Sequence, residues 1–330
     1  MKKTIDVIAL GELLIDFTEN GESEQGNIIM EANPGGAPCN VLAMLENLKK
    51  TTAFIGKVGK DHFGLLLKET IEDIGINTEN LIVDNTAHTT LAFVHTKEDG
   101  DREFSFYRNP GADMLLKKCE VNTNLIVSSK IFHFGTLSFT SECAKEATCY
   151  AIECAKKTDT IISFDPNIRK PLWDDLENAK KAMDYGMRNC NILKISDDEL
   201  LFYTNTSNYD EAVSTLIRTY NIPLICLTLG KKGSIAYYNG MKVFVKSYVQ
   251  SDTIETTGAG DTFMGCILNY VLEKGLYGLT RNEIEEMLTF ANAGASIITT
   301  RRGALKVMPS RLEITNLLLD NKNKQYKVYD

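Results

Sequence analysis

The strongest constraint on the fold of this chain is an alternation of short β-rich runs with helical patterns along most of its length. An alternation of this kind predicts a parallel sheet covered by helices on both faces, so the predicted fold class is α/β. The predicted strands are residues 5–10, 52–58, 130–135, 160–165, 191–196 and 224–230. The predicted helices are residues 38–49, 61–74, 141–157, 174–188, 208–220, 260–274, 281–299 and 309–320.

Two segments interrupt this alternation and predict a second, smaller sheet. They are residues 15–33 and residues 89–108. In the second segment, TTLAFVHT and REFSFYR alternate with period two on either side of the turn-like sequence KEDGD, which is typical of a β-hairpin. A small sheet beside a site can act as a lid. Another hairpin is predicted around Asn239-Gly240, at the edge of the main sheet.

Composition and charge argue against several classes of function. The chain has 36 Lys and Arg against 44 Asp and Glu, a net charge of −8, so its surface should repel a nucleic-acid backbone. Acidic residues interrupt the apolar N-terminus before the core of a signal peptide could form. No apolar run approaches the roughly 20 residues that a membrane span needs. Eight dispersed cysteines without a C-x-x-C pair predict reduced thiols and a cytoplasmic location.

The segment ETTGAGDTFMGC, residues 255–266, places glycines directly before apolar residues at helical spacing. This spacing predicts that residues 258–260 lie at a helix N-terminus, where unpaired amides and the helix dipole attract an anion. Asp261 would stand beside this cradle and could accept the proton of a hydroxyl. Alternatively, Asp261 or Thr257 only caps the helix. The Rossmann fingerprint fails at Phe263, and the chain has no P-loop or protein-kinase signature.

A second glycine pair lies in NPGGAPCN, residues 33–40, where another helix is predicted to begin. Gly35 and Gly36 would let the backbone approach a small ligand closely, and Asn40 would direct its amide toward the same ligand. Asp16 is a charged residue in an apolar run and could bind sugar hydroxyls. The alternatives are a routine helix start for the glycine pair and an early surface turn for Asp16.

Polar residues follow three predicted strands, in FDPNIRKPLW, KISDDE and TLGKKGS. Ligands of open α/β sheets bind outside the carboxyl ends of strands, so these segments indicate one crevice. Arg169 and Lys194 could neutralise phosphates, which makes Arg169 a catalytic candidate, and Glu199 could orient a hydrated Mg²⁺. Each of them alone could instead be a solvated surface charge or a helix-start carboxylate, but their joint placement favours a site.

Together these motifs resemble those of the PfkB-type, or ribokinase-like, carbohydrate kinases, and within that family the bacterial fructokinases. The resemblance spans nearly the whole chain and depends on several motifs in order: GELLIDF, PGGAPCNVL, FSFYRNPGADMLL, FHFGTLSF, FDPNIRKPLW, KISDDEL, LTLGKKGS and TTGAGDTFMG. It implies a single three-layer α/β/α domain over residues 1–330. This domain would have a mostly parallel central sheet and a small β-sheet lid formed by segments 15–33 and 89–108.

The resemblance also implies an activity and roles for individual residues. The activity is transfer of the γ-phosphoryl group of ATP to a sugar hydroxyl, with Asp261 as the general base. The anion hole would be made by the amides of Gly258, Ala259 and Gly260. The sugar-binding positions would be Asp16, Gly35, Gly36 and Asn40, with Phe104 and Arg108 in the lid hairpin. The nucleotide-side positions would be Lys194, Thr228, Gly230, Gly233 and Asn292.

The expected metal positions depart in part from the family pattern. Mg²⁺ is expected near Glu199, which closes an S-x-x-E that resembles the family's N-x-x-E, with Ser196 in place of Asn. Glu255 stands where the family commonly has Asp, at a position associated with a monovalent cation, and Thr257 is grouped with it. Residues 299–304, TTRRGA, resemble the loop that closes this cation site, so K⁺ activation is an expectation. The same residues would also suit a plain helix C-terminus.

The reaction favoured by the resemblance is conversion of D-fructose to fructose 6-phosphate. Other acceptors within the family are aminoimidazole riboside or another nucleoside, ribose, and 2-keto-3-deoxygluconate. A non-catalytic sugar or nucleotide sensor on the same fold is a further alternative, because a fold alone does not establish a function. The expected partners are the sugar, ATP and a second copy of the chain joined through the lid, with neither nucleic acid nor a membrane.

Overall fold

The computed structural model describes residues 3–96 and 102–326, with side chains described for residues 3–95 and 105–321. Its strands are β1 (Ile5–Leu10), β2 (Leu14–Glu22), β3 (Ile28–Gly35), β4 (Thr52–Gly59), β5 (Asn77–Asp84), β6 (Leu91–Thr96), β7 (Arg102–Tyr107), β8 (Ser129–Phe134), β9 (Ile161–Phe164), β10 (Ile192–Ser196), β11 (Leu224–Thr228), β12 (Ser234–Tyr238) and β13 (Met241–Val245). Its helices are α1 (Ala37–Asn47), α2 (His62–Ile74), α3 (Thr123–Val127), α4 (Glu142–Lys156), α5 (Leu176–Asn189), α6 (Asp197–Thr204), α7 (Tyr209–Tyr220), α8 (Ala259–Lys274), α9 (Arg281–Ile298) and α10 (Arg311–Tyr326).

One large sheet has the strand order β13–β12–β11–β10–β9–β8–β1–β4–β5. Neighbours from β11 to β5 are parallel, whereas β12 and β13 form the predicted antiparallel hairpin at one edge. Because successive side chains of a strand point to opposite faces, Val7 and Ala9 of β1 join the core under α1, α8 and α9. Ile8 and Leu10 join the core under α4, α5 and α7. The predicted three-layer α/β/α architecture is confirmed.

A second sheet, which we call the lid sheet, has the strand order β3–β2–β6–β7. Its strands come from the two interrupting segments, 15–33 and 89–108, and β6 and β7 form the predicted antiparallel hairpin. The turn KEDGD, residues 97–101, lies outside the described residues. On one face of the lid sheet the rings of Phe17 and Phe93 stack with centroids 4.9 Å apart, and Tyr107 packs edge-on against Phe93.

Three elements were missing from the sequence prediction. Strand β5 has only a short apolar stretch, Leu81 to Val83, among polar residues, because it is the edge strand and is partly exposed. Helix α3 is a single short turn, and its five residues give no measurable period. Helix α6 begins in the acidic run that follows β10, where the sequence indicated a polar strand end and, as an alternative for Glu199, a helix-start carboxylate.

Two further expectations concern membrane-spanning helices and the redox state of the cysteines. None of the helices in the described part of the chain is long and apolar enough to cross a bilayer. All eight cysteines are free thiols, with Cys39, Cys190, Cys226 and Cys266 buried. Buried free cysteines behave as small apolar residues, which is the role of these four; Cys143, Cys149 and Cys154 are half-buried and Cys119 is exposed.

Candidate active site

The glycine turn of residues 258–260 begins helix α8, as the sequence predicted. Gly258 is the N-cap residue and has a φ of 75°, a left-handed conformation that favours glycine. The amides of Gly260 and Asp261 lie in the first turn of α8, where a helix provides no acceptor for them. Gly258, Gly260, Asp261 and Thr257 border a cavity of about 340 Å³. Neither Thr257 nor Asp261 is the N-cap residue, so the capping alternative is not what the structure shows.

Asp261 is held on the cavity wall by a residue from the opposite end of the sequence. Asn40 lies in the first turn of α1, and its Nδ2 donates to Asp261 Oδ2 at 2.8 Å. Both side chains are buried, and Asn40 Oδ1 has no hydrogen-bond partner among the described residues. An amide oxygen that is buried without a donor is costly, so a ligand hydroxyl at this point would be stabilised.

The lid sheet contributes the opposite wall of the cavity. Alternate residues of β2, namely Leu14, Asp16 and Thr18, face the cavity, as do Val94 of β6 and Phe106 of β7. Gly35 of β3 pairs across from β2, and a Cβ atom at that position would lie 2.5 Å from Asp16 Oδ2. Glycine at 35 therefore leaves the Asp16 carboxylate the room that it occupies.

Two basic residues complete the cavity at the carboxyl ends of the main-sheet strands. Arg169 follows β9, and Lys194 lies in β10. Lys194 Nζ is bonded to Asp165 Oδ2 at 2.8 Å, and both residues are buried. A Cβ atom at Gly260 would lie 2.9 Å from Lys194 Nζ, so the ammonium group lies directly beside the glycine turn.

Burial and charge shift the pKa values of the cavity carboxylates. Burial raises the pKa of Asp261, against the hydrogen bond from Asn40 and the positive charges of Lys194 and Arg169. Removal from water likewise raises the pKa of Asp16 to about 7, with Arg169 acting in the opposite direction. For Lys194, burial lowers the pKa, but the combined negative charges of Asp165, Glu199 and Asp261 and the hydrogen bond to Asp165 outweigh it, and the net pKa is raised. The cavity therefore keeps Lys194 charged and raises the proton affinity of Asp16 and Asp261.

Glu199 has an evident structural role. Ser196 is the N-cap residue of α6 and Glu199 is its N3 residue, and the two form a reciprocal capping box. Glu199 Oε2 accepts from the Ser196 amide at 2.9 Å, and Oε1 accepts from the Ile168 amide at 2.9 Å. The S-x-x-E motif thus fastens the loop after β9 to the start of α6. The side chain of Glu199 does not border the cavity.

The two predicted monovalent-cation segments lie against each other. The amides of Ile254 and Glu255 both donate to the carbonyl of Thr299, at 2.8 and 3.2 Å. Glu255 Oε1 accepts from the Gly303 amide at 2.7 Å, and both residues border the cavity. Within the described residues there is no group of three His, Cys, Asp or Glu side chains arranged to hold a metal by themselves.

The remaining nucleotide-side candidates form a separate group on the far side of β10. Thr228 ends β11 and is paired with Ser234 of β12. Ser234 Oγ donates to Asn292 Oδ1 at 2.9 Å, and Asn292 Nδ2 donates to the Val245 carbonyl at 3.0 Å. The turn between β11 and β12, which contains Gly230 and Gly233, packs against the same carbonyl, because a Cβ atom at Gly233 would lie 2.1 Å from it.

Arg108 is the predicted sugar ligand that the structure does not bring to the cavity. Its side chain is buried in an ion pair with Asp113, and its other donors are bonded to Thr140 and Leu137. A guanidinium group with its donors committed to the protein is not available to a sugar in this conformation. The side chain of Phe104, the other lid candidate, lies outside the described residues.

Sequence reasoning missed several polar groups of the site. Glu12 borders the cavity, and its Oε1 accepts from the Ala37 amide at the start of α1 at 3.0 Å. Burial raises the pKa of Glu12 to about 7. Asp165 and Asn167 lie in the polar segment after β9, which the sequence analysis quoted without selecting them. The relevant signal is a buried carboxylate, Asp165, next to a buried lysine, Lys194. It can be recognised only once β9 and β10 are known to be parallel neighbours.

Comparison with known proteins places these features in a family. The model of the pfkB family carbohydrate kinases matches residues 4–311. Probable fructokinase-4 of Arabidopsis thaliana is 37% identical over 317 residues, 96% of this chain and 97% of that protein. Among solved structures, a fructokinase of Xylella fastidiosa with bound ATP has a TM-score of 0.88 and 28% identity, over 98% of this chain and all of that one. A Vibrio cholerae fructokinase double mutant with fructose, ADP and potassium ion has a TM-score of 0.85 and 26% identity, over 96% and 99% of the two chains.

Proposed function

Because this chain belongs to the pfkB family of carbohydrate kinases, we propose that it transfers the γ-phosphoryl group of ATP to D-fructose, giving fructose 6-phosphate. The observation that carries the proposal is the placement of Asp261. This carboxylate is buried beside the first-turn amides of α8 and is held by Asn40, with Lys194 next to the same turn. A base, an anion cradle and a fixed cation therefore meet in one cavity that the lid sheet covers.

Phosphoryl transfer depends on alignment and charge stabilisation more than on covalent assistance. Asp261 orients the acceptor hydroxyl and takes its proton late, as the new P–O bond forms, because a sugar alcohol is a much weaker acid than an aspartic acid. The first-turn amides of residues 258–260 stabilise the charge on the transferred group. Arg169 and Lys194 add positive charge from the ends of the main-sheet strands.

On the sugar side, the unpartnered Asn40 Oδ1 and the Asp16 carboxylate accept hydrogen bonds from sugar hydroxyls. Gly35 leaves the space for the Asp16 carboxylate, and Gly36, the N-cap residue of α1, borders the same cavity. On the nucleotide side, the group of Thr228, Gly230, Gly233 and Asn292 receives ATP beyond Lys194. The neighbouring pairing of β10 with β11 supports this arrangement, since it sets Ser196 beside Thr228 and so joins the group to the cavity.

The proposal includes metal ions that ATP chemistry requires. Mg²⁺ neutralises phosphate charge when bound, and it usually keeps several waters and takes few protein ligands. Contact through water would suit Glu199, since both of its oxygens already accept hydrogen bonds from the protein and would keep them. K⁺ is proposed to bind where Glu255 and Thr257 meet residues 299–304, and the Vibrio cholerae fructokinase with potassium ion supports this assignment.

We also propose that the enzyme works in the cytoplasm as a homodimer that is joined through the lid sheet. Free, reduced thiols are typical of that compartment. The outer surface of the lid sheet exposes large apolar side chains, with Ile28 61% and Tyr107 68% exposed. These side chains lie on β3 and β7, the two edge strands of the lid sheet, and a contact through the lid would bury them.

A coupled ATP assay across candidate acceptors tests the proposed function. We expect the highest kcat/KM with D-fructose and lower values with ribose, 2-keto-3-deoxygluconate and ribonucleosides. A higher kcat/KM with aminoimidazole riboside or another nucleoside would replace fructose as the acceptor. Absence of turnover with every acceptor, together with retained sugar or ATP binding, would instead favour a sensor. The same assay in potassium and in sodium chloride tests the cation site.

A further inference from the structure

A buried ion pair joins the root of the lid hairpin, where β6 begins and β7 ends. Arg108 directly follows β7, and Asp113 lies in the 3₁₀ turn Ala112–Leu115. Both side chains are 3% exposed, and Arg108 Nε donates to Asp113 Oδ2 at 2.8 Å. Because removing two charges from water is costly, such a pair is stable only when its donors and acceptors are well matched.

The same carboxylate also holds the other strand of the hairpin. Thr90, just before β6, donates its hydroxyl to Asp113 Oδ1 at 2.5 Å. The carbonyl of Thr90 accepts from the amide of Ile15 in β2 at 3.2 Å. Asp113 therefore fixes both ends of the hairpin and, through Thr90, the neighbouring strand of the lid sheet.

The other donors of Arg108 reach the segment that follows β8 of the main sheet. Its Nη1 donates to Thr140 Oγ1 at 2.6 Å, and its Nη2 donates to the carbonyl of Leu137 at 3.2 Å. Leu137 borders the cavity. The planar fork of arginine presents donors on three separate nitrogens that reach these three partners, whereas a lysine ammonium carries its three donors on one nitrogen.

We propose that Thr90, Arg108, Asp113 and Thr140, which we call the root clamp, position the lid sheet over the sugar side of the cavity. Arg108 is thus a positioning residue and not a sugar ligand. The inference rests on the proposed function, because it assigns part of the sugar site. Val94 and Phe106 border the cavity a few residues along β6 and β7 from the clamp. Displacement at the root would move both side chains and admit water beside the acceptor hydroxyl.

The substitutions Asp113→Asn and Arg108→Lys test the clamp. Each is expected to raise the KM for fructose about tenfold, the scale of one lost charge-assisted hydrogen bond, with the KM for ATP unchanged. ATP hydrolysis without sugar should increase relative to sugar-dependent turnover. Hydrogen exchange should become faster at the amides of β6 and β7. The double variant should show much less than the product of the two single effects, because both substitutions break the same interaction.

Glu120→Gln is the matched control. Like Asp113→Asn, this substitution changes a carboxylate that is paired with a buried cation to an amide; the cation here is Lys57, at 2.8 Å. Glu120 does not border the cavity. This variant should lower the melting temperature and leave the KM for fructose at the wild-type value.

Wild-type values of both the fructose KM and hydrogen exchange in Asp113→Asn would overturn the proposal. It would also be overturned if KM rose in Glu120→Gln as much as in the clamp variants. If the wild-type protein fails to phosphorylate fructose, the proposed function is wrong. The exchange comparison, which needs no sugar, still decides whether the clamp holds the lid sheet.

Discussion

The cavity has two walls that are built differently. One wall consists of the start of α8 and the ends of β9 and β10, whose strand residues are buried under helices on both faces. The other wall is the lid sheet, which has the cavity on one face and exposed apolar side chains such as Ile28 on its surface. The first wall carries Asp261 and Lys194, and the second carries Asp16.

This difference assigns the two walls different tasks. Stabilising charge on a transferred phosphoryl group requires dipoles and charges that are already in place, and a closely packed wall provides them. Admitting a sugar and then excluding water requires a wall that moves, and a sheet covered on one face is less stable against local opening. Substitutions on the packed wall should therefore lower kcat, and substitutions on the lid wall should raise the KM for the sugar.

The largest effect is expected from Asp261→Asn on the packed wall. The variant keeps an oxygen that can accept from Asn40 but cannot take up a proton, so kcat should fall about 10²-fold or more. Calorimetry should show ATP binding with unchanged affinity. Turnover near the wild-type rate would refute both the role of Asp261 as base and the contrast between the two walls.

On the lid wall, Asp16→Asn should raise the KM for fructose about tenfold and change kcat less. Steady-state kinetics with fructose and ATP varied separately would separate the two effects. Thr18→Val is a suitable control, because Thr18 faces the same cavity from the same strand. A fall in kcat as large as that of Asp261→Asn would mean that the two walls do not divide the work.

Asp16→Asn should weaken fructose binding but raise the thermal stability of the ligand-free protein. Burial raises the native pKa of Asp16 to about 7 from its ordinary value of 3.8, so between these values the native state holds a proton that the unfolded state has released. The contribution is fully present below the unfolded pKa and is lost as pH rises through the native one. Ligand-free Asp16→Asn should therefore gain melting temperature relative to wild type from pH 4 to pH 8. An equal difference in melting temperature between the variant and the wild type at pH 4 and at pH 8 would contradict the raised pKa of Asp16.

The packed wall was far more accessible to sequence reasoning than the lid wall. The glycine turn and α8 were predicted because a helix period starts directly after the glycines. The parallel main-sheet strands other than β5 were predicted because buried parallel strands are continuously apolar. The ion pair of Asp165 and Lys194 was missed, because it depends on which two strands are neighbours. Strand order is a non-local property that local patterns do not encode.

On the lid side, the hairpin could be predicted but the direction of its side chains could not. Arg108 has the residue type and position of a ligand, yet its partners Asp113 and Thr140 come from segments with no local signal of their own. In the same way, Glu12 reached the cavity only because α1 begins beside it. Arg108 and Asp113 are close in sequence, but the contacts of Arg108 with Thr140 and of Glu12 with Ala37 join segments that are distant in sequence.

The smallest effect is expected from Glu199→Gln, which lies just behind the packed wall. The amide oxygen of glutamine can accept from the backbone amide of Ile168 or of Ser196, but its NH₂ group would face the other amide. We therefore expect the free energy of unfolding to fall by about 1 kcal/mol. The Mg²⁺ concentration for half-maximal activity should rise by no more than about threefold, since the amide oxygen of glutamine can still accept a hydrogen bond from a metal-bound water. Urea unfolding and magnesium titration of activity measure the two quantities.

Ser196→Ala is the matched control, because it removes the other half of the same capping box and leaves the carboxylate. If the two variants lose similar stability and show similar magnesium dependence, Glu199 acts by fixing the loop after β9, and its effect reaches Arg169 through that loop. A tenfold or greater rise in the magnesium requirement in Glu199→Gln alone would show that the carboxylate itself meets the metal. The packed wall would then extend beyond the residues that border the cavity.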